Sequence, residues 1–315
     1  MLRSIAVILS CLIITACSSG DSFSQQQEIK SFYDYQLYTP NNTPIFLDAL
    51  PSALTEADVI LIGEWHTHSA IHRFQTDLVK QSFSNDSKLT LSMEQFTRDK
   101  QPVLDAYLRG EIGEQTLIQT GNGWPNYESD YRPFVEFAKA NSITILAANA
   151  PKSIVRCIGR QGVPYIDKLT LDERKHLARV INTDSSPYKE KFMASMHHGT
   201  PEQTERQYAA QVTWDETMAE TISDYLSQNP DQQVIHIAGK FHTEQGLGIK
   251  ASILRRMPNL NVVVITPTNS PQSEQNSHGD FLLHVLAPPA RYIKPENRMA
   301  AFHDLSKRND ELTCK

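Results

Sequence analysis

One carboxylate and three imidazoles fall within nine positions of this chain, at Glu64, His66, His68 and His72. A second carboxylate, Glu94, and a further imidazole, His242, stand far off in sequence, each just past an apolar run. Two carboxylates and two imidazoles brought together can hold a divalent metal, activate a water molecule or steer a proton. Each residue alone is a weak signal, because a histidine after a strand is more often a hydrogen-bonded structural residue. Four strand ends of the same kind, at Glu64, His66, Glu94 and His242, shift the balance towards a site. His68 and His72 read as surface residues at the start of a helix, and His236, inside an apolar run, as a core histidine with its hydrogen bonds met.

The elements that must position these groups are legible as periodic runs. Val59-Ile60-Leu61-Ile62 is apolar without alternation, as in a parallel strand covered on both faces. Gly63 ends it, and Ile71, Phe74 and Leu78 then recur at helical spacing. Strand, polar corner and helix in that order place Glu64 and His66 at the carboxyl edge of a sheet, where open α/β folds bind ligands. Further strands are expected over Lys88–Phe96, Ile143–Asn149, Gln233–His242, Val262–Thr266 and Phe281–Leu286. Short helices are expected over Gln101–Tyr107, Gly113–Gln119 and Phe134–Ala138, another over Asp172–Ile181, and an entry hairpin turning at Asn41-Asn42. Strands alternating with helices predict an α/β fold with a mostly parallel sheet covered by helices on both faces. Ser185–Gly199 is rich in Tyr, Met and His, and with the long helical pattern from Glu202 to Ser227 it reads as a helical lid or interface excursion, about 185–228.

The chain's 315 residues suffice for a full core, and 30 Lys+Arg against 36 Asp+Glu, with no basic block, argue against nucleic acid as a partner. Arg3 precedes an apolar stretch, Ile5–Ile14, of signal-peptide length, and Ile14-Thr15-Ala16-Cys17 resembles a bacterial lipoprotein signal. Residues 1–16 are therefore expected to be a signal peptide, Cys17 the lipidated first mature residue, and 17–27 a polar tether. A single domain is expected over 28–290, with 291–315 a C-terminal tail. Ser18 after the cysteine, where a retaining aspartate is absent, leans towards the outer membrane. Cys157 and Cys314 remain, in a compartment that permits disulfides, and either pair or stay free.

Several separated motifs resemble one family. They are Gly63-Glu64-Trp65-His66 with His72 and Gln75; Met93-Glu94-Gln95-Phe96; Gln101-Pro102-Val103-Leu104-Asp105-Ala106-Tyr107; and Tyr131-Arg132-Pro133. Ala147-Ala148-Asn149-Ala150-Pro151, Ala210-Gln211 to Asp215 with Met218-Ala219, and Ala238-Gly239-Lys240-Phe241-His242 complete the set. In this order, from about Val59 to Ile265, they are similar to the ChaN family of iron-regulated haem-binding lipoproteins. The wider superfamily includes Tiki-type metalloproteases and erythromycin esterases.

The resemblance implies haem as cofactor, held near the sheet edge by a tyrosine, with cofacial haems enclosed in a homodimer and histidine assisting at the propionates. Tyr208 is the first choice of ligand and Tyr188 the second, with His66, His242, His197 and His198 as further haem contacts and Met193 and Met196 as pocket wall. A lipid-anchored outer-membrane protein in haem or iron acquisition or storage, with an outer-membrane haem receptor as a partner, is the implied function. The alternative is a metal-dependent hydrolase using Glu64, His66, Glu94 and His242.

Overall fold

A computed structural model describes residues 28–85, 88–196, 199–270, 278–310 and 312–315. The expected signal peptide and tether, with Cys17, and the pair His197-His198 lie outside the described residues.

Eight strands form one sheet: β1 (Gln36–Tyr38), β2 (Pro44–Ile45), β3 (Val59–Glu64), β4 (Leu89–Thr97), β5 (Ile145–Asn149), β6 (Gln233–Gly239), β7 (Val262–Thr268) and β8 (Phe281–His284). Their order across the sheet is β2-β1-β8-β7-β3-β6-β4-β5. Every pairing from β8 through to β5 is parallel, while β1 runs antiparallel to β8 and to β2. The entry hairpin is the β1–β2 pair, and its turn carries Asn42 at φ 60°, a left-handed conformation that asparagine tolerates.

The alternation along β3 explains why its apolar run is unbroken. Ile60 and Ile62 face one layer, with Ile71, Phe74 and Leu78 of the helix Ser69–Asn85 and Phe134, Val135 and Ala138 of the helix Arg132–Ala140. Val59 and Leu61 face the other, against Met218, Ala219, Ile222 and Leu226 of the helix Pro201–Gln228 and Ile249 and Ile253 of the helix Ile249–Arg256. Both faces are covered, so an α/β fold with a mostly parallel sheet is what forms. The expected excursion is a helix Pro187–Ser195, capped by Ser186, followed by the long helix that Thr200 caps. The second half of that long helix continues onto the sheet face as core.

The helix expected over Asp172–Ile181 is a correction. Only Leu171–Arg174 is helical, opened by a Thr170/Glu173 capping box. Beyond it the chain's hydrogen-bonding groups find side-chain partners instead of helical ones. The Arg174 guanidinium donates to the carbonyls of Leu177, Ala178 and Arg179, and the amides of Ala178 and Arg179 donate to Thr217 and Glu220. Tertiary bonds override a local pattern here.

Cys157 and Cys314 form a disulfide, with Cα atoms 5.6 Å apart. It fastens the chain's end to the helix Lys152–Gln161, where Leu312 and Cys314 join an apolar cluster around Val155 and Ile158.

Candidate functional site

Parallel pairing fixes the site before any side chain is considered. Glu64 stands directly opposite Gly239, and Gly63 opposite Ala238, so the corners that end β3 and β6 lie side by side. Gly63 is required there: a β-carbon would come within 2.6 Å of Thr243 Oγ1 and 3.3 Å of Lys240 Cα. Glu94, on neighbouring β4, reaches the same edge and accepts a hydrogen bond from the Gly239 amide at 2.7 Å.

Glu64 is fully buried and held from several sides. Its Oε1 accepts from the Tyr131 hydroxyl at 2.6 Å and the Gln95 amide at 3.0 Å, and meets His66 Nδ1 at 2.8 Å. Oε2 accepts from Gln75 at 2.7 Å. Burial alone would raise the carboxyl, but the hydrogen bond from His66, the charges of His72 and His66, and the Tyr131 hydroxyl outweigh it and hold it below the usual carboxylate range. Burial would lower His66, yet its bond to Glu64 and the charges of Glu94 and Glu64 raise it.

The second histidine is built in the same way. His242 Nδ1 donates to Asp215 Oδ1 at 2.7 Å, and its Nε2 lies 3.7 Å from Glu94 Oε1. Burial would lower it, but the charges of Asp215 and Glu94 raise it to about 9. Asp215 Oδ2 accepts from the Tyr188 hydroxyl at 2.8 Å, and the Gln211 amide donates to that same hydroxyl at 2.9 Å.

Above these groups opens a cleft of about 860 Å³, in the range typical of small-molecule sites. Phe32, Trp65, Phe241, Pro288 and Pro289 give it apolar walls, and Arg291 and Lys240, the latter ion-paired with Glu244 at 3.5 Å, also line it. His66, His68 and His242 also reach it.

The structure therefore brings Glu64, His66, Glu94 and His242 to one edge. Among the described residues, however, no group of three or more His, Cys, Asp or Glu is placed to hold a metal ion. Both oxygens of Glu64 and of Asp215, and Glu94 Oε2, are already engaged with amide, hydroxyl or imidazole donors. Tyr188 and Tyr208 are not brought to the cleft, and no tyrosine lines it among the described residues. Tyr188 packs on Phe241, and Tyr208 packs on Tyr188 and Phe192, with Met193 and Met196 against the same cluster.

His68 and His72 correct the expectation of surface residues, since both are buried. His68 Nε2 donates to the Leu286 carbonyl at 2.9 Å, and its ring lies against Phe32 and Trp65. His72 is enclosed because both its ring nitrogens face oxygens, Gln75 Oε1 at 3.0 Å and the His66 carbonyl at 3.1 Å. His236 is in the core as expected, with Nδ1 2.8 Å from Ser92 Oγ, but its Nε2 has no partner among the described residues. Burial drives it down to about 3, so the ring is neutral.

Residue-by-residue reading assigned no role to Asp215, Tyr131 or Gln95. For Asp215 a signal existed: with Val212, Met218 and Ile222 it lies on the buried stripe of a helix, where a carboxylate demands a partner.

Residues 50–253 match the family described as haem-binding uptake, Tiki superfamily, ChaN. The chain belongs to the ChaN family. Its fold is similar to that of ChaN of Campylobacter jejuni, a structure of cofacial haem binding, with a TM-score of 0.63 at 18% identity over 82% of this chain and 100% of that one. An erythromycin esterase mutant in its open conformation is more distant, with a TM-score of 0.46 and 13% identity over 85% of this chain and 87% of that one. The type III effector HopBA1 gives 0.45 and 10% over 82% and 100%. No curated protein matches the chain significantly. Haem is the cofactor of the ChaN family, and the apolar walls, cations and imidazoles of this cleft are a donor set that suits it.

Proposed function

We propose that this chain is a haem carrier that holds haem in the cleft at the carboxyl edge of β3 and β6. One observation carries the reading: the cleft combines aromatic walls, the guanidinium of Arg291 and an imidazole directed by a buried carboxylate. Trp65, Phe32 and Phe241 offer the apolar surface that a porphyrin face seeks, while Arg291 matches the charge of its propionates. Haem, when bound, supplies an iron centre as cargo, and the chain's own residues bind, orient and shield it. A porphyrin face left in the open cleft is a large apolar patch, which favours cover by a second copy of the chain. Acylation at Cys17 would anchor the carrier to the outer membrane, in haem or iron acquisition or storage, with a haem receptor as a partner.

Absorption titration of the protein with haemin tests the carrier reading. Saturable binding at one haem per chain with a shifted Soret band is expected, and a spectrum that stays that of free haemin would end it. Sedimentation with and without haemin tests the homodimer, and membrane fractionation of Cys17→Ala tests the anchor.

A further inference from the structure

We propose that the C-terminal segment is a clasp on the cleft, which holds a ligand's carboxylates through Arg291 and is kept in place by the Cys157–Cys314 disulfide. This rests on the haem reading above, where the carboxylates are the propionates.

Pro288, Pro289 and Arg291 line the cleft a few residues after β8 ends. The chain then forms the helix Pro295–Asp310 and reaches Cys314, bonded to Cys157 in the helix Lys152–Gln161, which follows β5. β8 and β5 stand five strand steps apart in the sheet, about 24 Å at about 4.8 Å per step. Between them lie β7, β3, β6 and β4, so the site's ionisable corners fall within that span. The 16-residue helix is itself about 24 Å long, a match for the width to be crossed.

Both ends of the segment are fastened. Beside the cleft, the Val285 amide donates to the Thr268 carbonyl at 3.0 Å, and His68 Nε2 donates to the Leu286 carbonyl at 2.9 Å. At the far end the disulfide is joined by bonds from Arg160 to the Leu312 carbonyl and from Lys168 to the Lys315 carbonyl. From residue 287 to 304 every side chain is exposed except the half-buried Ala301. A segment with so little buried surface opens locally at small cost, so its position depends on the two fastenings.

Arg291 gives this clasp a ligand to hold. His66 and His242 face the carboxylates of Glu64, Asp215 and Glu94, and Lys240 is paired with Glu244 at 3.5 Å. Arg291 has no carboxylate partner among the described residues. An arginine fork meets a carboxylate with two parallel hydrogen bonds, and here it stands beside the apolar walls of Phe32, Trp65 and Phe241. That pairing suits a flat apolar ligand with an acidic edge.

The test is haemin uptake by the full chain and its release to a haem-scavenging apoglobin. Arg291→Gln changes an exposed side chain and should fold like the parent, yet release haemin about tenfold faster, the effect of one hydrogen bond to a charged group. Haemin dimethyl ester, whose propionates are esterified, is the control ligand, and the two proteins should release it at the same rate. Cys157→Ala with Cys314→Ala should also release haemin faster than the parent. Adding Arg291→Gln to that pair should quicken release less than it does in the parent. Equal release of haemin by the parent and Arg291→Gln would overturn the role of Arg291 and leave the carrier reading standing, as would a difference that persists with the ester. A folded disulfide-free chain that releases haemin at the parent's rate would overturn the fastening, and the Arg291→Gln comparison decides the proposal where that chain does not fold. A parent chain that takes up no haemin would overturn both readings.

Discussion

The ring of His66 lies directly over Gly239, whose missing side chain makes room for it. A β-carbon on Gly239 would come within 2.9 Å of His66 Cε1 and 3.0 Å of Nε2. The glycine's backbone, at φ −53° and ψ 140°, is open to any residue, so the need for glycine here is steric and comes from the histidine. Gly239→Ala should therefore fold with a loss of about 1–3 kcal/mol, as for an overpacked site, while pushing His66 from its position. Because His66 lines the cleft, haemin titration of this variant should show reduced affinity. Unchanged haemin affinity would show that the position of His66 is immaterial to binding.

Much of this edge was legible because it rests on two strong local signals. An unbroken apolar run ended by glycine can hardly be other than a doubly covered strand, and ionisable residues just past such runs must sit at the sheet's carboxyl edge. Glu64, His66, Glu94 and His242 were found in that way. The burial of His68 and His72 was not legible, because it depends on Leu286, Phe32 and Gln75, which only the fold brings over them. The packing of the tyrosines was not legible for a related reason. Sequence placed Tyr188 and Tyr208 in a segment of unusual composition near the edge, but which way that segment turns is decided by Phe241 and Asp215.

The Cys157–Cys314 disulfide closes a loop between residues 157 apart in sequence. It acts with bonds from Arg160 to the Leu312 carbonyl and from Lys315 to Glu173. Replacing both cysteines by alanine should lower stability by about 2–5 kcal/mol, read from the urea midpoint. A midpoint unmoved by the substitution or by reductant would mean that the tail's attachment contributes nothing to the folded state.

His242 makes stability depend on pH in a definite direction. Its folded value, about 9, lies above the ordinary value of about 6.5. Stabilisation by the protonated ring is therefore complete below about pH 6.5 and is lost as the pH rises through about 9. Asp215→Asn removes the main charge responsible, so its urea midpoint should fall less than the parent's between about pH 6 and about pH 10. Parallel declines in the two proteins would show that the pair is not the source.

Tyr127 and Tyr131 offer a matched pair for separating a hydroxyl's packing from its hydrogen bond. Both rings are buried, but the Tyr131 hydroxyl donates to Glu64 at 2.6 Å, whereas the Tyr127 hydroxyl has no partner among the described residues. Tyr127→Phe removes a buried polar atom that gains nothing from the fold, so its stability should equal or exceed the parent's. Tyr131→Phe removes a bond to a charged acceptor and should cost about 1.5–3 kcal/mol. Its effect also has a pH signature. Glu64 is held below its ordinary range, so its ionised form stabilises the fold above that range, and the benefit is lost as the pH falls through the folded value. Without Tyr131 the carboxyl is less depressed, and acid unfolding should begin at a higher pH than in the parent. Equal losses from the two substitutions, with identical acid transitions, would show that Glu64 does not depend on Tyr131 for its charge.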